Sequence, residues 1–550
     1  MSTTTTRPAE HAERAEQRNS PGTGTAALVR LALRRDRIRI PAWVAGLGLY
    51  VLYVSTALPV IAGTDEELGA LAPLLEQPVG RMFTGPAYGM DALTHERFFA
   101  SGYVLYLFVL AALMSILLVT RHTRAEEESG RAELVRASVV GRHAHLTAAL
   151  IVAALANLGV LVVITAMSVA GGYGAMGSLL IGTGTALVGM AFAGIAAVTA
   201  QLSENSRPTS GMAGAVLGAA FALRALGDMA AVGGTALSWA SPLGWASQTA
   251  PFVHDRWWPL ALLVALAIAA VAAGFALQHR RDLGAGLLAS SKGPARARHV
   301  LGTPLGLAAR LQLAAVVAWG LSITALGVLN GAFTQLMVEA ADDMPEAFRD
   351  VFGSQALMEG YLAFIAAFNA YIIVAYIVFA VQGLRAEETG GRAEAVLATP
   401  TSRAAWAGSH LLAIALGATM IMVVAGAGTG LGAAISTGDW SLVGTLLGVH
   451  LNLLPGLLLV LGLCGLLFGW LPTLMAPLGW TVVGLVVVAG VFSDLLDLPD
   501  WVQQLSPLSH PAQLPVEDFA GTPLVWLGGL TVLGVGLGLV GLSRRQIYVR

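Results

Sequence analysis

Carboxylates and guanidinium groups a few positions apart are the side chains here best suited to recognition chemistry, and they gather in two matching segments. RAEEESGRAELVRASVVGR runs from Arg124 to Arg142, and RAEETGGRAEAVLATPTSR runs from Arg385 to Arg403. Laid together without a gap at an offset of 261, the two share 11 identical residues over 19 positions. Asp, Glu, Lys and Arg make up only 12% of the chain, so these charged inserts stand out against apolar flanks. Opposite charges at the rim of a contact set register more than affinity, which points to docking. Catalysis finds no support in the sequence. The 11 histidines form no metal-ligand spacing, no Ser-His-Asp or nucleophile-elbow arrangement is identifiable, and the single cysteine, Cys464, excludes internal disulfides. No G-x-x-x-x-G-K-[ST] phosphate loop occurs.

The elements that position the inserts are expected to be membrane helices. The chain has 550 residues, is 56% hydrophobic and has a mean hydropathy of +0.72. Soluble domains are less apolar and about twice as charged. Apolar runs of about 20 residues suit helices crossing a bilayer, where backbone groups must pair within the segment. The runs fall at 41–62, 98–120, 144–170, 175–200, 210–232 and 257–278, then at 311–330, 360–382, 404–434, 441–468, 472–493 and 522–542. This predicts an all-α polytopic membrane protein with twelve transmembrane helices. Residues 1–40 form a polar tail and an amphipathic interface helix, 41–280 a first six-span half, 281–308 a cytoplasmic linker, and 309–550 a second six-span half.

With both termini in the cytoplasm, 26 of the 31 basic residues fall on the cytoplasmic side, as the positive-inside rule requires. Both inserts then lie in the cytoplasm, between the second and third spans of their halves. The repeat extends further: SPLGW at 241–245 matches SPLSH at 506–510, and Arg280-Arg281 and Arg544-Arg545 close the last span of each half. The halves run in the same direction, so they are parallel repeats. Each insert should be a short amphipathic helix, started by acidic residues such as Glu126, Glu127 and Glu128. Thr399-Pro400 should stop the second one. The stretch 25–40 mixes Leu28, Leu31, Ile38 and Ile40 with five arginines, as an interfacial helix facing anionic lipid would.

The pattern E-E-x-x-G-R-x-E-x-V-x-A-x-P-x-x-R resembles the coupling helix of ABC-2-type export permeases. LATPTSR at 397–403 fits it closely, whereas VRASVVGR at 135–142 has Val139 in place of the proline. The single-chain, two-half layout is similar to the actinobacterial exporters of polyketide antibiotics, the tetronasin type. The resemblance implies the ABC-2-type transporter fold and a separate cytoplasmic ATPase, present in two copies, one docked on each insert. Glu126, Glu127, Gly130, Arg131, Glu133 and Arg142 would receive one copy. Glu387, Glu388, Gly391, Arg392, Glu394 and Arg403 would receive the other. ATP and Mg would sit on that partner, with no cofactor in this chain and no nucleic-acid partner. Lipids and a lipophilic cargo complete the expected partners.

The second and eighth spans are rich in aromatic residues. Aromatic walls suit bulky lipophilic cargo, and the family lines its path with the second and fifth spans of each half. Tyr103, Tyr106, Phe108, Phe364, Phe368, Asn369, Tyr371 and Tyr376 are therefore the candidate path residues. Asn157, His410, His450 and Asn452 read as interhelical hydrogen-bonding groups, and Arg224 and Asp228 as an i, i+4 pair. The rival reading is a proton-coupled transporter of the major facilitator type. Its charged loops place basic residues directly after Gly-Arg, where both copies here have Ala-Glu.

Overall fold

The computed structural model describes residues 22–136, 140–282, 284–288, 293, 295–339, 357–491, 493 and 499–546. Val139, most of the second long loop (340–356), and Asp494 and Asp497 lie outside the described residues. Among the described residues there is no strand. Eleven of the described helices are long and apolar enough to cross a membrane. The chain divides into two compact units, Met1–Lys292 and Gly293–Arg550.

In the first unit, α1 (Thr25–Arg35) leads into α2 (Arg39–Ile61). Next come α3 (Val104–His122), the insert helices α4 (Arg124–Glu128) and α5 (Arg131–Arg136), and then α6 (Ala144–Ala170), α7 (Ala175–Leu202), α8 (Ser206–Ala230) and α9 (Pro259–Gln278). α7 is the centre of this unit, packed against α3, α6 and α9. The loop after α2 folds into short helices, and one of them, Pro78–Thr84, packs on α8. There Arg224 and Asp228 pair at 3.2 Å, as their spacing predicts. Arg81 from the loop donates to the carbonyl oxygens of Asp228 and Met229, both at 2.8 Å. These bonds give the buried charges partners, which is what makes them tolerable away from water.

Two sequence expectations change here. The 25–40 stretch is not one helix: α1 ends at Arg35, and Asp36 turns the chain with its side chain wholly buried. Its carboxylate lies 2.7 Å from His122 Nε2 and 3.0 Å from Arg121 Nε, so the turn is held by charge at the end of α3. The 98–120 span is also broken. His95–Gly102 forms its own short helix, and Tyr103 interrupts at φ −126° and ψ −23° before α3 starts.

In the second unit, α10 (Pro304–Ala332) begins inside the stretch expected to be a linker. It is followed by α11 (Leu357–Thr389), α12 (Arg392–Leu397), α13 (Arg403–Thr437), α14 (Ser441–Trp470), α15 (Met475–Val491) and α16 (Gly521–Arg544). Glycines let these helices meet backbone to backbone. A Cβ on Gly331 would sit 2.1 Å from the carbonyl oxygen of Thr429, and one on Gly432 would sit 2.0 Å from that of Val328. These are G-x-x-x-G pairs, Gly327/Gly331 on α10 and Gly428/Gly432 on α13. Without a hydrophobic drive between helices in lipid, such close approach supplies the association.

The eleventh expected span, 472–493, is the one whose described helix is too short to count among the eleven. Pro472 sits in a turn with Thr473 and Leu474, because it has no N–H to offer a helix interior. α15 therefore starts at Met475, and it is described as far as Val491. The second insert departs too: α11 runs unbroken for 33 residues, carrying Arg385–Thr389 as its last turns. Only α12 is a separate short helix there.

Candidate functional site

Each insert is built around a carboxylate that its own unit grips from two sides. In the first unit Glu127 sits on α4 between two arginines. Arg124, fully buried, lies 2.8 Å away, and Arg281, just past the end of α9, lies 2.8 Å from the other carboxylate oxygen. Arg124 also donates to the carbonyl oxygens of Ala200 and Ala285, and Arg281 to the side chain of Gln201 at 2.6 Å. The insert is thereby tied to the ends of α3, α7 and α9 together. Arg142 closes the same end, donating to the carbonyl oxygens of Gln278 and His279 at 3.2 and 3.0 Å.

The second unit repeats this grip with the matching residues. Glu388, buried, is 2.8 Å from Arg385 and bonded through both oxygens to Arg545, at the end of α16. Arg545 also lies over the Phe468 ring, 5.3 Å from its centroid. Arg403 donates to the Arg545 carbonyl oxygen at 2.7 Å. Thus Arg281 and Arg545, legible in the sequence only as basic closers of the last spans, are the direct partners of the inserts. A Glu three residues after an Arg in each insert was the available signal, since i, i+3 neighbours face each other on a helix.

A second pair in each insert lies nearer the surface. Glu126 bonds Arg131 at 3.0 Å, and also Arg35 of α1 at 2.7 Å; Glu387 bonds Arg392 at 2.9 Å. Between these partners the backbone must reverse. Gly130 and Gly391 do so at φ +72° and +73°, a left-handed conformation that costs any other residue. Their matched positions therefore follow from the turn.

What faces outward is a small surface of mixed character. Arg131 and Arg392 have half or more of their side chains exposed, and Glu133 and Glu394 are exposed beside them. Leu134 is 77% exposed, an apolar residue standing free between charges, and Ala395 occupies its place in the second insert. The twelve predicted docking residues therefore differ in their surroundings. Glu127, Glu388, Arg142 and Arg403 are bonded within their own unit, Glu126 and Glu387 pair with Arg131 and Arg392 nearer the surface, Gly130 and Gly391 make the turns, and Arg131, Glu133, Arg392 and Glu394 are exposed.

The candidate path residues also separate. Phe108, Asn369 and Tyr376 are buried within their units. Asn369 on α11 donates to Thr429 of α13 at 3.3 Å and meets His450 of α14 at 3.1 Å, a buried polar junction of three helices. Tyr376 packs edge-on against Trp319 at 6.0 Å. Tyr103 lies at the helix break, where its carbonyl oxygen accepts from Tyr50, and Tyr106 is 40% exposed. Phe364 stacks on Phe368 at 6.3 Å. Phe364 and Tyr371 line one cavity of about 210 Å³ at the end of their unit away from the insert. Among the described residues no group of three or more His, Cys, Asp or Glu could hold a metal ion.

Two comparisons bear on this arrangement. The family model described as "Multidrug efflux system permease Rv1217c, C-terminal domain" matches residues 26–278 and 301–542. The multidrug efflux system permease protein Rv1217c of Mycobacterium tuberculosis (strain ATCC 25618 / H37Rv) is 35% identical to this chain over 548 residues, covering 98% of each.

Proposed function

The chain belongs to the family of Rv1217c-type multidrug efflux permeases, and from that premise we propose that it is the membrane subunit of an ATP-driven exporter of lipophilic drug-like molecules. Membership makes it an integral membrane efflux permease, and it does not favour the major facilitator reading. The ATPase partner is the further step. One observation carries it: both inserts are clamped by the same Arg–Glu–Arg arrangement to the end of their unit's last helix. A loop that only obeyed a charge rule would have no need of that rigid tie. A lever would, because a push on Arg131 or Arg392 then reaches several helices at once.

In this reading two copies of a cytoplasmic ATPase, carrying ATP and Mg, each seat one insert. The inserts and both termini lie in the cytoplasm of a bacterial cell, and α15 completes a layout of twelve spans in two parallel repeats. The cargo class is that of the polyketide antibiotics, in keeping with the tetronasin-type layout.

The test uses proteoliposomes holding the full chain with a candidate ABC-type ATPase from the same cell. ATP-dependent extrusion of a lipophilic dye, absent without the ATPase and insensitive to an uncoupler, is the expected result. Extrusion that needs no ATPase and stops on adding an uncoupler would overturn the proposal.

A further inference from the structure

We propose that the second unit holds a preformed binding site for uncharged, amphipathic small molecules; this rests on reading the chain as the membrane subunit of an exporter. The site is the cavity of about 210 Å³ between the first turns of α11, the neighbouring faces of α14 and α15, and the SPL segment at 506–514. The matching SPL segment of the first unit, with the start of α3, encloses only about 20 Å³, room for little more than one water.

The difference is written in side chains. Counting back without a gap from the matched inserts, Gly360 stands where the first unit has Phe99. Phe99 is wholly buried and packed on Tyr173 at 5.3 Å, which fills that wall. Gln248 of the first SPL segment is tied down, accepting from Tyr88 at 2.5 Å and donating to the Gly233 carbonyl oxygen at 2.8 Å. Its counterpart Gln513 is exposed and lines the cavity.

The lining defines the ligand class. Phe364, Val449, Leu453 and Leu508 offer an apolar floor, while Tyr371, Ser509 and Gln513 offer hydroxyl and amide groups. The Tyr371 hydroxyl sits where a Cβ on Gly490 would be, 2.1 Å from it, and makes no hydrogen bond among the described residues. Among the described residues no charged side chain lines the cavity. An ion would enter without a partner and lose its hydration. A neutral molecule with an aromatic or hydrocarbon body and a few hydroxyl or carbonyl groups fits instead, as in ligand pockets generally.

Saturable binding of the neutral dye Nile red to the full chain in nanodiscs tests this, with the cationic dye Nile blue as its charged counterpart. Nile red should bind at least about tenfold more tightly than Nile blue. Gly360→Phe, which imports the first unit's residue, should weaken Nile red binding by about tenfold or more. Tyr371→Phe keeps the shape and removes one hydrogen bond, so about a three- to tenfold loss is expected even if Gly360→Phe fails to fold. Equal affinity for the two dyes, no saturable Nile red binding, or wild-type affinity in Tyr371→Phe and in folded Gly360→Phe overturns the proposal. Failure of the exporter reading looks different: ATP-driven extrusion is absent while binding and its loss in the variants persist.

Discussion

Glu388 and Arg392 stand four residues apart in one insert and should respond to mutation in opposite ways. Glu388 is buried between Arg385 and Arg545, so Glu388→Ala leaves two guanidinium groups short of their counter-charge. Removing one member of a buried pair costs about 3–5 kcal/mol, and a clear drop in melting temperature of the detergent-purified chain is expected. Arg392 has 58% of its side chain exposed, so its bond to Glu387 adds little. Arg392→Ala should change stability by no more than about 0.5 kcal/mol while lowering ATPase-driven transport. A melting temperature that fell equally in both variants would contradict the division between clamp and docking face. The sequence made the inserts visible through their repetition, but not this division. Which carboxylate turns inward depends on Arg281 and Arg545, which lie 154 and 157 positions away from their partners.

At the scale of elements, most helices were legible because lipid demands long apolar runs, and eleven of the described helices are long and apolar enough to cross a membrane. The departures have local causes. Asp36 ends α1 because His122 and Arg121 hold its carboxylate, a long-range contact that no periodicity records. Pro472 holds back the start of α15 to Met475. The G-x-x-x-G pairs were present in the sequence as a signal of close packing. They position the second unit strictly: Gly432→Leu would drive a side chain into the Val328 carbonyl oxygen, where a Cβ has only 2.0 Å. Overpacking costs about 1–3 kcal/mol where side chains can yield, and backbone cannot. This variant should lose thermal stability and monodispersity on size exclusion, whereas Gly444→Leu, where a Cβ meets nothing within 4 Å, should retain both. Equal behaviour of the two would show that α10 and α13 do not depend on this contact.

On the scale of the whole molecule, the two units share one device and differ in another. Both grip their insert through an Arg–Glu–Arg arrangement closed by a residue after the last helix, which suits two equal inputs of force. Of the two cavities beside the SPL segments, the one in the second unit is the roomier, which suits one cargo. The candidate path was the least legible part of the sequence. Aromatic content alone could not tell Tyr376, sealed against Trp319, from Tyr371, which opens on the cavity. The central claim, that the outward face of the inserts receives a partner's push, is tested most directly with the double charge reversal Arg131→Glu and Arg392→Glu. The measurement is stimulation of the candidate ATPase by the reconstituted permease. The account predicts that stimulation falls at least about tenfold while the permease keeps its wild-type melting temperature. Undiminished stimulation by the folded double variant would contradict it.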